Sequence, residues 1–244
     1  MVFFKKKNNV KFQSKIIVNE NLSSLGTTGY NTLKDNIIYM CSGGRKKVIQ
    51  IESSVAGEAK TTVVSNLAVS LGLSESKVVV LDLDFRRPRL HRMFELEKEN
   101  GIAEYLQDKI DIDTLIKKTN YKNVDVITRG AEIYNPSIAL LSEKFEKLMA
   151  LLREKYDYVL LDCAPILQVS DYIHISKHAD GVLFVVAYAK TTKSQVIDSI
   201  NLLKKDNINI LGSVFSMYDR KKAKGYYSSS YYFYAYGDGE DRRN

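Results

Sequence analysis

With 244 residues and a net charge of +7, the chain fits one large α/β domain that can bury a sizeable core, and no linker marks a second domain. The charge sits in short blocks (Lys5-Lys6-Lys7, Arg45-Lys46-Lys47, Arg86-Arg87-Pro88-Arg89, Arg220-Lys221-Lys222) that argue against a nucleic-acid partner and suit an anionic membrane surface or acidic protein. Cys41 and Cys163 lack metal-ligand spacing, His91, His174 and His178 are scattered, and no apolar run approaches the roughly 20 residues of a membrane span, so a soluble protein in a reducing cytoplasm is expected.

In chain order, residues 8–47 carry no strong pattern except 30–39, a helix leading into the first strand. Runs rich in Val, Ile and Leu at 48–51, 77–83, 124–128, 157–161, 181–187 and 208–215 read as buried strands. Between them, 60–73, 136–155 and 192–206 have helical periodicity, with a shorter helix at 102–107 and a helix start at Asn135-Pro136. Strand and helix alternating in this way predict a mostly parallel β-sheet with helices on both faces, and functional groups at the carboxyl ends of the strands.

Directly after the first strand stands Glu52-Ser-Ser-Val-Ala-Gly-Glu-Ala-Lys-Thr-Thr62, followed at once by a helix. A phosphate-binding loop needs converging backbone amides, a helix N-terminus, a lysine for the outer phosphates and a hydroxyl for magnesium. Gly57, Lys60 and Thr61 supply most of that set, although Ser54 and Ala59 occupy the two glycine positions of G-x-x-x-x-G-K-[ST]. Alone, the segment also reads as an ordinary strand-to-helix turn. Val78-Val-Val-Leu-Asp82-Leu-Asp84 and Tyr158-Val-Leu-Leu-Asp162 end two further strands on carboxylates, which a nucleotide-bound Mg²⁺ requires. Six of the sixteen tyrosines, Tyr226, Tyr227, Tyr231, Tyr232, Tyr234 and Tyr236, crowd a Ser- and Gly-spaced tail too polar and repetitive for a core strand. Such a tail is either a sticky end or a cluster of phosphate acceptors.

Together the Lys60 loop, the Asp82-Leu-Asp84-Phe-Arg86-Arg-Pro88 segment with His91, Asp162-Cys-Ala-Pro165 and the tail resemble the bacterial tyrosine kinases of capsular and exopolysaccharide synthesis, in the same order over residues 28–236. That family consists of P-loop proteins with a modified Walker A motif, related to the MinD and ParA ATPases. The resemblance implies a kinase domain at 28–219 between an N-terminal extension, 1–27, and a flexible tail, 220–244. It implies ATP and Mg²⁺, with Ala56, Gly57, Glu58, Ala59, Lys60, Thr61 and Thr62 around the nucleotide. Lys60, Asp82, Asp84 and Asp162 become the catalytic set, with Lys60 on the β and γ phosphates and Thr61, Asp84 and Asp162 at the metal. Asp82 assists deprotonation of the incoming tyrosine, and Arg86 contacts the acceptor or a phosphate, unless it is merely solvated. A membrane-anchored activator with a cytoplasmic tail, an opposing tyrosine phosphatase, self-association when unphosphorylated and attachment to the inner face of the membrane are implied as well.

Three positions depart from the family pattern. Ala59 puts a methyl beside the phosphates, where it is expected to crowd the nucleotide or restrict the turn. Thr28-Gly-Tyr-Asn31-Thr-Leu-Lys34 matches none of the charges of the oligomerisation motif E-x-x-R-x-x-R, and Ser216 stands where relatives often place an asparagine near adenine. Two other readings stay open: a catalytically weak or inactive regulator of the same system, and a MinD-like ATPase. Against the latter, Ser53 and Ser54 replace the signature lysine of that group.

Overall fold

A computed structural model of the protein describes residues 15–18, 25–41 and 47–218. The six tail tyrosines lie outside the described residues. The elements run α1 (Leu25–Met40), β1 (Lys47–Ser53), α2 (Lys60–Leu73), β2 (Val78–Leu83), α3 (Leu90–Met93), α4 (Ile102–Leu106), α5 (Ile112–Leu115), β3 (Lys117–Lys118), β4 (Val124–Ile127), α6 (Pro136–Leu140), α7 (Glu143–Lys155), β5 (Tyr158–Cys163), α8 (Asp171–Ser176), β6 (Gly181–Ala187), α9 (Lys193–Lys205) and β7 (Ile210–Ser216). They build a seven-stranded sheet in the order β3-β4-β2-β5-β1-β6-β7, parallel except for the β3–β4 pair. The fold class is the one expected.

The strands are apolar throughout because both faces are covered. In β2, Val78 and Val80 pack on the side of α1 and α2, while Val79, Leu81 and Leu83 join Phe145, Leu148 and Leu152 of α7 on the other. β6 and β7 carry a smaller cluster under α9, with Phe184 and Leu203 fully buried. α2 is apolar on nearly every side, since it lies between the sheet and α1. The segment at 15–18 also docks on α2: Asn66 Oδ1 accepts the N–H groups of Ile17 and Val18 at 2.7 and 3.1 Å. Val18 is buried.

Several elements differ from the sequence expectation. The single helix at 136–155 is two, α6 and α7, because Ser142 caps a new start: its Oγ accepts from Phe145 N at 3.2 Å and donates to Ala139 O at 2.7 Å. Serine side chains compete with the helical ladder and favour such caps. α1 begins at Leu25, ahead of the expected helix at 30. The short antiparallel edge strand β3 carried no apolar pattern to mark it. The start at Asn135-Pro136 is as expected, with Asn135 Oδ1 accepting from Ile138 N at 3.3 Å.

Candidate functional site

The turn from β1 into α2 has two left-handed residues. Gly57 sits at φ +77° without steric cost. Ala59, immediately before α2, sits at φ 66°, a conformation that costs an L-residue about 1–2 kcal/mol. The methyl therefore strains the turn without preventing it, and Ala59 O still accepts the first helical N–H, from Val63 at 2.8 Å. Lys60 is nearly buried, and its Nζ donates to Ser53 Oγ at 2.9 Å. Beneath it lies Glu52, whose carboxyl burial pushes up to about 8 against the opposing influence of Gln50 and Lys60.

Parallel register sets the acidic groups. Asp82 and Asp162 are paired neighbours at the carboxyl ends of β2 and β5. Thr61 Oγ1 donates to Asp162 Oδ2 at 2.7 Å, which joins the first turn of α2 to β5. Asp82 Oδ2 accepts the N–H groups of Arg89 and Leu90, both at 3.0 Å. The Oδ1 atoms of Asp82 and Asp162 are buried with no hydrogen-bond partner among the described residues. Burial raises both carboxyls; the neighbouring Asp162 charge adds to the rise at Asp82, while Lys60 and Thr61 hold Asp162 to about 6. Orphaned oxygens on adjacent strands, with a hydroxyl at their edge, suit a hard divalent cation such as Mg²⁺. Asp84 is placed differently. It faces the cleft, and its Oδ1 caps a turn by accepting from Arg86 and Arg87 N–H at 3.2 and 2.9 Å.

Above these groups opens a cleft of about 680 Å³, lined by 56–62 together with Asp84, Arg86, Arg87, Arg89, Arg92 and Lys190 among others. Cations outnumber carboxylates there, which suits a polyphosphate. The Arg86 guanidinium also lies 3.8 Å from the buried Asp171 carboxylate. Another cleft, of about 570 Å³, lies between Lys77, Lys118 and Lys155 at the amino ends of β2 and β4, at the far end of the sheet, and contains none of the expected site residues.

Three residues of this region escaped the sequence reading or its role assignment. Glu58 is fully buried: Oε2 accepts from Val55 N at 2.6 Å, and Oε1 from Ala187 N at 3.2 Å and from Thr191 Oγ1. Its sign was the clue, since a carboxylate in a phosphate loop has to point away from the phosphates. Ser216, expected near a base, donates to Glu58 O at 2.7 Å and so anchors the loop. Lys190 donates to Ala56 O and Gly57 O at 2.9 and 2.7 Å. The segment Thr28 to Lys34 falls on α1, where Lys34 pairs with Asp35 at 3.0 Å.

An AAA domain matches residues 46–211. The tyrosine-protein kinase YwqD of Bacillus subtilis is 31% identical over 223 residues, covering 90% of this chain and 93% of that protein. The chain belongs to the bacterial tyrosine-protein kinases. The tyrosine-protein kinase ptk of Acinetobacter johnsonii is 30% identical over 90% of this chain, which spans only 29% of that relative's length. Among solved structures, the kinase domain of Escherichia coli tyrosine kinase ETK superposes with a TM-score of 0.76 at 27% identity, covering 85% of this chain and 83% of that one. The chimerical protein CapA2B2 gives 0.79 at 29%, over 84% and 90%. MinD of Pyrococcus horikoshii, complexed with Mg-ADP, gives 0.59 at 26%, over 69% of each chain. The P-loop architecture of this tyrosine-kinase family is thus shared with MinD.

Proposed function

We propose that the protein transfers the γ-phosphoryl group of ATP to tyrosines of a neighbouring copy, the acceptors being Tyr226, Tyr227, Tyr231, Tyr232, Tyr234 and Tyr236, and that this regulates capsular or exopolysaccharide synthesis and export. The observation that carries the reading is the in-register Asp82 and Asp162 pair with orphaned oxygens, tied through Thr61 to a lysine-bearing loop. Residues 56–62 hold the phosphates through backbone amides and the start of α2, and Lys60 meets the outer ones. Thr61, Asp84 and Asp162 hold Mg²⁺, which when bound neutralises charge on the β and γ phosphates. Asp82, raised by burial and its charged neighbour, accepts the phenol proton. Arg86 meets the acceptor segment. Phosphoryl transfer asks for little beyond such positioning and charge neutralisation.

The names of the relatives support the activity, and the bound Mg-ADP of the MinD structure supports the cofactor. The loop turn formed despite Ala59 favours an active enzyme over an inactive regulator. Among the described residues no helix is long and apolar enough to cross a membrane; a separate membrane-anchored activator would recruit the kinase and complete its site, and a phosphatase would reset it. Unphosphorylated copies associate, and phosphate on the tails loosens them by charge repulsion.

Purified protein incubated with ATP and Mg²⁺, with and without an activator-tail peptide, should accumulate phosphotyrosine, and Lys60→Met should not. In a mixture of Lys60→Met full-length protein and a tail-deleted active copy, phosphate should appear on the Lys60→Met chain. Phosphotyrosine in Lys60→Met alone would remove the kinase reading; none in the mixture, with active controls, would place transfer within one chain.

A further inference from the structure

The phosphate loop carries one lysine, Lys60, and its ammonium is nearly buried on Ser53. A second lysine reaches the same loop from 130 residues away. Lys190, in the turn between β6 and α9, is exposed, lines the cleft and sets its Nζ on the carbonyls of Ala56 and Gly57 at the loop tip. We infer that Lys190 is a second phosphate-contacting lysine, which leaves these carbonyls for the terminal phosphate of ATP and neutralises charge there during transfer. The inference rests on the nucleotide reading above.

The placement of Lys190 is built. Lys190 N and Thr191 N both bond Ala187 O, Tyr188 N bonds Ser216 O, and Ala189 takes a left-handed conformation, φ 55°. The next residue, Thr191, donates its hydroxyl to the buried Glu58 carboxylate, which also accepts from Ala187 N. Backbone and loop are thereby stapled together on both sides of Lys190, and its four-carbon stem is the mobile part. Gly57 makes room for it: a Cβ there would stand 2.4 Å from the ammonium.

An ammonium has three donors, and two rest on neutral carbonyl oxygens. Phosphate oxygens carry charge and accept shorter, stronger hydrogen bonds, so they outcompete carbonyls for it. The lysine is exposed on the lining of the cleft. As the acceptor tyrosine's oxygen bonds to the γ-phosphorus, the bond from phosphorus to the β–γ bridging oxygen breaks and its electron pair leaves on ADP. The phenol proton passes to Asp82, and Lys190 stays protonated throughout. An arginine supplied from outside a phosphate loop accelerates transfer by about 10³- to 10⁵-fold, and a lysine there supplies the same charge as a more compact donor.

The test compares full-length wild type, Lys190→Ala, Lys190→Gln and Lys190→Arg. Calorimetry gives the affinity for Mg-ADP and for a non-hydrolysable ATP analogue with Mg²⁺; single-turnover assays give phosphotyrosine formation. Lys190→Ala and Lys190→Gln should weaken the analogue by about tenfold or more, the loss of one charge-assisted hydrogen bond, and ADP by less than about threefold. Phosphorylation should slow by at least about 100-fold, with Lys190→Arg recovering most of it. Equal weakening of ADP and analogue would reduce Lys190 to a prop for the loop tip, and wild-type behaviour in every assay would also overturn the inference. Wild type that binds neither nucleotide would instead sink the nucleotide reading, and this inference with it. Thermal melting confirms that each variant is folded.

Discussion

Replacing Glu52 by Gln should make the protein more stable, and increasingly so as pH rises. Glu52 is fully buried at the end of β1; its Oε1 accepts from Gln50 Nε2 at 2.7 Å, and its Oε2 is buried with no hydrogen-bond partner among the described residues. Burial raises the carboxyl from 4.5 to about 8. Below about pH 4.5 both folded and unfolded chains hold this proton; between there and about pH 8 only the folded chain does, so stability falls as pH rises through that window. At about 1.4 kcal/mol per unit of displacement, the rise corresponds to about 5 kcal/mol across the window. Glutamine has the same shape, keeps an acceptor for Gln50 and cannot ionise. Urea unfolding of both proteins, without nucleotide and in chelator, should show near-equal stability at about pH 5 and a mutant advantage approaching 5 kcal/mol at about pH 9. Asp82 and Asp162 titrate in both proteins, so the difference between the two curves isolates Glu52. Curves that stay parallel from pH 5 to 9 would refute the reasoning. A neutral Glu52 at pH 7 leaves Asp162 as the carboxylate that balances Lys60, so less of the lysine's charge is spent inside the loop.

Asp82→Asn and Asp162→Asn should each lower tail phosphorylation by at least about 100-fold, with Mg-nucleotide affinity falling more for Asp162→Asn; small, equal effects would make both ordinary strand ends. Both variants should also melt higher than wild type at about pH 8 without Mg²⁺, because each removes a buried carboxyl whose ionisation is opposed by burial and by neighbouring carboxylate charge. Ala59→Gly should relieve the left-handed strain, partly offset by the freer unfolded chain, for a net gain of about 0.5–1 kcal/mol and a melting rise of about 1–4 °C; a lower melting temperature would contradict the strain. Ser142→Ala removes the cap between α6 and α7 and should cost about 1 kcal/mol by urea unfolding, whereas no change would mean that the helix break does not depend on the serine.

The sheet was legible because parallel strands buried on both faces are continuous apolar runs, as at 78–83 and 181–187. Lys60, Thr61, Asp82 and Asp162 were legible because each follows or ends such a run, and the structure does bring them together. Ser142 was missed since Ile138, Leu141, Phe145, Leu148 and Leu152 keep one helical spacing along the sequence across it, although Ile138 and Leu141 are exposed in the fold. β3 was missed because a two-residue edge strand, Lys117–Lys118, buries nothing that periodicity can detect. Lys190 and Ser216 come to the loop only through the positions of β6 and β7 in the sheet, and no spacing along the chain announces a hydrogen bond across 133 or 158 residues.

The strand order has a consequence for how the protein acquires its site. β1 pairs with β5 and β6, and β2 with β4 and β5; β1 and β2 never touch as strands. During synthesis the phosphate loop emerges about a hundred residues, and Asp82 and Asp84 about 75 residues, before the strand that must slide between β1 and β2. Until then β1 lacks both of its partners, and closing so long a loop delays folding. Because side chains alternate along a strand, a slip of one residue by β5 would turn Asp162 to the opposite face. Insertion of the central strand in register is therefore the event that brings the phosphate loop and the aspartates together, and a nascent chain ending before residue 158 carries a phosphate loop without the strand that joins it to them.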